Sequence, residues 1–435
     1  MKALFLAGGK SVRMWPLSFD KNLIDFCGQS LAFHSLSLAK AAGLSDFVIV
    51  GNEGNKSKLE EIVKKTGIKG EVILQKKPGQ GGAILSARNQ IKNQDVLIIN
   101  ANDVFEENLY RQILTKVRDE KNEAILVGYQ TDSYFPGGYL KVKNGEVCEI
   151  VEKPSPDKVP SNLVRLVCDY FSDSKKLLEA LERTRTEKDD LYEKAMDQMI
   201  RKGMKFSYIA YKGFWKSIKY SWHILDLMEY FLSKIETSIS KKAEISKKAT
   251  VDGPVVLEDD VRILENAVVK GPCWIGKNSI IGNGALVRQS IIGEDCVVGY
   301  NTEITRSYVG PSCWFHTNYI GDSVLDENVS FGSGAITANL RLDEGQIYSE
   351  IKGSKINTQR NKLGNIIGKN VRIGINAMLM PGVKIGANSF VGSGVILSED
   401  LEENKFCVVK QEQQITRNRL GSDTKKREKF RKKLS

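Results

Sequence analysis

Aliphatic side chains return at every sixth residue through one half of this chain, at Ile245, Val251, Leu257, Ile263, Val269, Ile275, Ile281 and Val287, and again at Ile367, Ile373, Leu379, Ile385, Val391 and Leu397. Neither an α-helix nor a flat strand has that period. Three such segments close one triangular coil with a short parallel strand on each side. The pattern therefore predicts a left-handed parallel β-helix, its inward aliphatics stacked into one continuous core. Glycine commonly follows the inward residue, as in Ile275-Gly276 and Ile373-Gly374, where a tight turn is expected. The first half reads differently. Apolar runs at Ala3 to Leu6, Phe47 to Val50, Val72 to Leu74, Val96 to Ile99 and Ala124 to Val127 alternate with helical stretches such as Ser57 to Lys65 and Gly82 to Ile91. That alternation predicts an α/β domain with a doubly wound, mostly parallel sheet. Ligands of such sheets sit at the carboxyl ends of strands, here the loops after Leu6 and Ile99.

The two patterns divide the 435 residues into a sheet domain over 1–235, a β-helix over 236–409 and a basic tail over 410–435. No apolar run is long enough to span a membrane. The seven cysteines show no paired spacing for zinc or redox chemistry, which points to a reducing cytoplasm. A net charge of +11 suggests nucleic acid until it is located: residues 416–435 carry nine Lys or Arg against two acidic residues. The body is thus only mildly basic. The tail reads as a solvated end rather than a nucleic-acid contact, since the aromatic and basic spacing of a nucleic-acid fold is absent.

Directly after the first strand stand Gly8 and Gly9, then Arg13, Pro16-Leu17 and Lys21. A glycine pair there lets backbone amides approach a phosphate chain, and Arg13 and Lys21 supply positive charge for a phosphoryl transition state. A tight turn with two surface cations is the plainer alternative. The segment resembles the opening of the sugar-1-phosphate nucleotidylyltransferases, and Gln75 with Gly79 and Gly81, Asn102-Asp103, Glu152-Lys153-Pro154 and Trp215-Lys216-Ser217-Ile218 follow in the family's order. With a β-helix behind it, the chain is similar to the bifunctional N-acetylglucosamine-1-phosphate uridylyltransferase/glucosamine-1-phosphate acetyltransferases and their archaeal relatives. The resemblance implies that Gly8, Gly9, Arg13 and Lys21 handle the triphosphate of UTP or dTTP, and that Gln75 and Gly81 meet the base. It likewise places Glu152, Lys153 and Asn162 on a sugar 1-phosphate and makes Asp103 a ligand of Mg²⁺. Several positions depart from the family pattern: Ser11, Val12, Asp20, Asn102, Leu140 and Val167, Ser217 in place of a second metal-binding aspartate, and Lys219 and His223 just after it. These departures imply that nucleotidylyl transfer is weakened, altered or lost.

The second half departs less. Trp314 through Asp322 and Gly334 through Asn339 match the acetyltransferase site of the bifunctional enzymes. His316 is one of three histidines in the chain, and an imidazole suits removal of a proton from an amine at neutral pH. Tyr319 and Asn339 are expected to orient an amino-sugar phosphate, and Lys362 to neutralise its phosphate. Acetyl-CoA is expected along the coils after Ile367, where Ile375 replaces a small polar residue. A homotrimer with acyl sites between subunits is what the resemblance implies. The interruption from Arg341 to Asn365 is read as an excursion that reaches a neighbouring subunit or covers a site, or else as a passive insertion. His34 reads as a helix-packing residue and His223 as a surface residue. The whole chain reads as a transferase of sugar-nucleotide synthesis performing nucleotidylyl and acetyl transfer. Two alternatives stay open: a nucleotidylyltransferase with a structural β-helix, and an acetyltransferase with a non-catalytic binding domain.

Overall fold

The computed structural model describes residues 1–132, 134–135 and 137–433. Its first domain is built on a nine-stranded mixed sheet. From one edge run Lys69–Leu74, Asp46–Gly51, Lys2–Leu6 and Val96–Asn100, all parallel, and then Leu163–Phe171, antiparallel to Val96–Asn100. Beyond it the sheet forks. Ala124–Gln130 and Phe206–Tyr211 extend one branch, and the hairpin Gly138–Lys143 with Glu146–Glu152 forms the other. Helices cover both faces, and each face has its own apolar core. The expected helix over 82–91 is two pieces, Gly79–Ser86 and Arg88–Ile91, with Ala87 outside helical geometry between them.

The second domain is a prism of three parallel sheets with eight, nine and eight strands, running from Ser238–Ile239 to Phe406–Cys407. Its inward residues form one core. Between the two regular runs the coils continue through Ile292, Val298, Ile304, Val309, Phe315, Ile320, Leu325 and Phe331, where several sides are one residue shorter. The glycines after the inward residues serve a purpose other than the expected one. A Cβ on Gly276 would lie 2.7 Å from the backbone of the next coil, so the requirement is close approach between coils. The left-handed conformation falls two residues later, on Asn278 (φ 57°), Asn370 (φ 61°) and Asn388 (φ 57°). Asparagine tolerates that region by bonding locally, and here the side chains also form a ladder. Asn328 Nδ2 donates to Asn370 Oδ1 at 2.8 Å, and Asn370 Nδ2 to Asn388 Oδ1 at 2.9 Å.

One outer face of the prism is buried against the first domain. Ile291, Tyr308, Val324 and Ile366 on that face share a core with Met14, Leu17, Phe26, Trp222, Leu225 and Met228. The interruption after Arg341 forms a hairpin, Tyr348–Ile351 with Ser354–Asn357, that packs into the same seam through Ile351 and Ile356. It therefore clamps the two domains of its own chain. Arg360 Nη1 reaches Asp226 Oδ1 at 2.5 Å across the seam. Ser18 donates from both its backbone N and its Oγ to Asp326 Oδ2 at 2.9 Å, and the buried Lys384 pairs with Asp400 at 3.0 Å below the Trp15 ring. The tail ends in an exposed helix, Thr424–Arg431, and residues 434 and 435 of the expected tail lie outside the described residues. Among the described residues no helix is long and apolar enough to cross a membrane.

Leu363 is fully buried in the seam. Leu363→Asp would bury an unpaired carboxylate there, at a cost of several kcal/mol. Calorimetry is expected to resolve two thermal transitions in the variant where the wild type shows one. A single transition at the wild-type midpoint would show that the domains do not depend on this contact.

Candidate active sites

The carboxyl end of the sheet opens into a cleft of about 230 Å³. Arg13, Gly81, Asp103, Glu152 and Lys153 line it, together with Arg165, Val167, Tyr192, Glu193, Ser217 and Lys219. Of the residues expected here, Gly8, Gly9, Lys21 and Gln75 do not line this cleft. Gly8 packs so closely on Gln75 that a Cβ would sit 2.0 Å from its Oε1, and Gln75 Nε2 donates to Lys77 O (2.7 Å) and Gly79 O (3.1 Å). Gly81 faces Leu191, which a Cβ would approach to 2.8 Å. Asn162 is exposed, and its carbonyl accepts from Thr131 N at 3.0 Å on the sheet's margin. Three positions further on, within Leu163–Phe171, Arg165 lines the cleft. Leu140 also differs from expectation: it lies in the apolar core, while Gly137 and Gly138 of the same hairpin face the cleft.

Arg165 was missed by sequence reasoning, as were Tyr192 and Glu193. Its guanidinium pairs with Asp169 Oδ2 at 2.5 Å and Glu193 Oε1 at 3.0 Å and lies 4.9 Å from the Tyr192 ring centroid. An arginine and an aspartate four apart inside a nine-residue strand buried throughout is the signal that could have found it. Removing either partner would strand a buried charge, a loss of roughly 3–5 kcal/mol.

The glycine loop keeps the shape a glycine would give it. Ser11 holds φ 52°, and its Oγ accepts from Lys21 N at 3.2 Å. Asp20 caps the turn at Asn22 N (2.8 Å) and accepts from Asn55 Nδ2 (2.9 Å), while Asn22 and Asn55 both donate to Ala7 O. Burial lowers the Lys21 pKa to about 8 against the opposing pull of Asp103 and Asp20.

Asp103 is buried at the strand end, and burial raises its pKa while hydrogen bonds from Ser217 and Asn100 oppose the shift. Ser217 lies directly opposite it on the paired strand. Around Asp103 stand the Ser217 hydroxyl, the Asn100 amide and the Lys21 and Lys219 ammoniums, and Glu152 also lines the cleft. Among the described residues no group of three or more His, Cys, Asp or Glu is placed to hold a metal ion. These residues suit Mg²⁺ poorly, because the ion takes one or two carboxylates together with substrate phosphates and here Asp103 already faces the Lys219 ammonium. His223 is not a surface residue: its Nδ1 lies 2.8 Å from Ser217 O, and burial pushes its pKa down to about 4. His34 is a packing residue between helices, its ring 4.3 Å from that of Phe231 and its Nε2 2.8 Å from Phe26 O.

On the prism, His316 projects an exposed imidazole from a corner that its backbone fixes: His316 N donates to Asn318 Oδ1 at 2.7 Å, and Asn318 Nδ2 donates to Gly332 O and Ala335 O. Three residues on, a polar chain crosses the outer face. Arg306 grips Asp322 with two bonds of 2.7 Å, and Asn339 Nδ2 donates to Asp322 Oδ2 (2.5 Å) and Tyr319 Oη (3.1 Å). Gly321 lies so close beneath that a Cβ would come within 2.7 Å of Tyr319 Oη. Lys362 is bridged to Leu340 beside Asn339 and is exposed. Tyr319 and Asn339 thus share one patch, Lys362 pairs with the residue next to Asn339, and His316 stands at the corner three residues before Tyr319. Among the described residues no side chain hydrogen-bonds the His316 ring.

An α/β sheet with a phosphate-type loop, joined to a six-residue-repeat prism carrying an exposed imidazole, is the architecture of a two-domain group transferase. Family profiles agree: nucleotidyl transferase matches residues 2–220, the GMPPB C-terminal domain residues 234–356, and the bacterial transferase hexapeptide (six repeats) residues 366–399. The chain is 32% identical over 441 residues to the bifunctional protein GlmU of Methanococcus maripaludis strain S2, covering 96% of this chain and 100% of that one. It is 30% identical over 421 residues to the bifunctional sugar-1-phosphate nucleotidylyltransferase/acetyltransferase of Sulfurisphaera tokodaii, covering 94% of this chain and 100% of that one. The chain belongs to this family of bifunctional sugar-1-phosphate nucleotidylyltransferase/acetyltransferases, and its prism is a left-handed β-helix. The family is typically Mg²⁺-dependent.

Lys21 faces Asp103, Asp20, Arg13 and Lys219. A lysine with a pKa near 8 carries its charge at neutral pH and loses it above. Triphosphate affinity is therefore expected to fall as pH rises through that value, by at most about tenfold per pH unit for one proton. Lys21→Met should flatten that step in a titration of UTP at several pH values. A step of equal size in the variant would assign the dependence elsewhere.

Proposed function

We propose that this chain acts in sugar-nucleotide biosynthesis, its β-helix acetylating an amino-sugar phosphate from acetyl-CoA and its first domain transferring a nucleotidyl group to a sugar 1-phosphate. The single observation that carries the reading is the exposed His316 imidazole, three residues before Tyr319 in the bonded chain of Arg306, Asp322, Asn339 and Tyr319. In this reaction the amine nitrogen attacks the thioester carbonyl, His316 takes the amine proton, a C–N bond forms, and the C–S bond breaks to release CoA. Tyr319 and Asn339 orient the sugar, Asp322 and Arg306 hold Asn339 in place, and Lys362 pairs with the phosphate. The unheld ring and the outward patch fit a site completed by another copy of the chain, hence a homotrimer. The apolar outer column Ile336, Met378 and Ile396 is exposed along the coils where acetyl-CoA is placed.

In the first domain a sugar phosphate oxygen attacks the α-phosphorus of UTP or dTTP and pyrophosphate leaves. Arg13, Lys21, Lys153 and Lys219 neutralise phosphate charge, Gln75 and Gly81 meet the base, and Glu152 accepts from a sugar hydroxyl. Gly8 and Gly9 allow backbone approach. The division at residues 235 and 409 separates the two activities from each other and from the tail. Seven free cysteines suit a reducing cytoplasm.

His316→Ala is expected to lower acetyl transfer to glucosamine 1-phosphate by about 10²–10⁴-fold while leaving the oligomer intact in sedimentation. Unchanged turnover would refute the base assignment. Pyrophosphate release from UTP or dTTP with a panel of sugar 1-phosphates should exceed the rate without acceptor. No release with any pair would return the first domain to a binding role.

A further inference from the structure

The position of Lys219 is fixed by its neighbours. Trp215–Ser217 pairs with Asp103–Phe105 so that Ser217 faces Asp103, and Ile218 N donates to Asn102 O at 3.1 Å. The Ile218 side chain is buried in the seam between the domains. The next residue is thereby turned into the cleft, where the Lys219 ammonium lies 4.2 Å from the Phe135 ring centroid. An aromatic face backs the cation while its stem is shielded from water. Asp103 and Glu152 attract it, and Arg13 and Lys153 oppose it. With a hydroxyl at the second carboxylate position, the ammonium beside Asp103 offsets the negative charge that a divalent ion would need there.

We propose that the cleft of the first domain takes its nucleoside triphosphate without a divalent cation, the Lys219 ammonium over Phe135 serving as the fixed counter-charge beside Asp103. The proposal rests on the reading of this domain as a triphosphate site. It assigns Lys219 a binding role that follows from its place in this cleft. The counter-charge is built into the chain, so binding tolerates chelators, whereas a site of paired carboxylates has to recruit its cation from solution.

The test is calorimetric titration of UTP and of dTTP into the full-length chain, once in EDTA and once in excess MgCl₂, with free Mn²⁺ followed by electron paramagnetic resonance. At least one triphosphate should bind in EDTA with an affinity within about threefold of that in MgCl₂, as a fixed charge requires. The chain should retain no Mn²⁺ beyond what the nucleotide itself binds. Lys219→Gln should weaken binding in EDTA by about 10–100-fold, the loss of one charge-assisted contact, at an unchanged thermal midpoint. The paired change Ser217→Asp with Lys219→Gly should make binding chelator-sensitive and make the complex retain Mn²⁺. Binding by the wild type that vanishes in EDTA overturns the proposal and leaves the triphosphate reading standing. Binding of neither nucleotide in either buffer overturns both.

Discussion

The seam between the two domains is the constraint from which the rest of the structure follows. Ile291, Tyr308, Val324 and Ile366 are outward residues of a prism face, and alone they would leave an apolar strip in water. Burying them on Met14, Leu17 and Trp222 joins the sheet domain to the prism at the loop that stands over the first strand. The hairpin after Arg341 closes the same seam from the other side. The shape of the glycine loop is therefore not a local matter. Ser11 sits at φ 52°, a conformation that costs an L-residue roughly 1–2 kcal/mol. It persists because Asn22 and Asn55 hold Ala7 O from within while Ser18 is tied to Asp326 on the prism.

The two sites use charge in opposite ways. On the prism a surface chain from Arg306 to Tyr319 is fully paired and fixes side chains around an open patch. In the cleft, charges are buried and crowded: Arg165 is matched by Asp169 and Glu193, whereas Lys21, Lys219 and Asp103 all have pKa values displaced by burial. Groups so displaced gain most from a ligand that brings compensating charge. A triphosphate does so for the two lysines.

Much of this was legible in the sequence because periodicity reports burial directly. The inward aliphatics from Leu257 to Val287 and from Ile367 to Leu397, and the strands at Ala3, Phe47 and Val96, lie where their patterns place them, whereas Ile245, on the first strand of its sheet, is exposed. The middle coils escaped a strict period because Val287 to Ile292 and Ile320 to Leu325 span five residues, a change that keeps the core position and loses only a corner residue. The corner glycines were legible as glycines but not in their reason, since contact between coils is invisible to a local reading. At the cleft the motif residues Arg13, Asp103, Glu152 and Lys153 come together, whereas Asn162 does not join them. A residue's approach to a pocket depends on strand register, and Leu163–Phe171 carries an irregularity between Leu166 and Tyr170 that a linear motif does not show. The buried seam and the own-chain clamp were not legible, because an outward apolar residue on a prism reads the same whether a domain, a subunit or a ligand covers it.

In the proposed reaction the prism presents His316 to the amine of a phosphorylated sugar. Release of the CoA thiol from acetyl-CoA, followed continuously with the unmodified chain and either glucosamine 1-phosphate or glucosamine as acceptor, tests it most directly. The account predicts sustained thiol release with the phosphorylated amine and at most a trace with the unphosphorylated one, because Lys362 has no partner there. Thiol release at the acceptor-free rate with glucosamine 1-phosphate and other amino-sugar phosphates would contradict it.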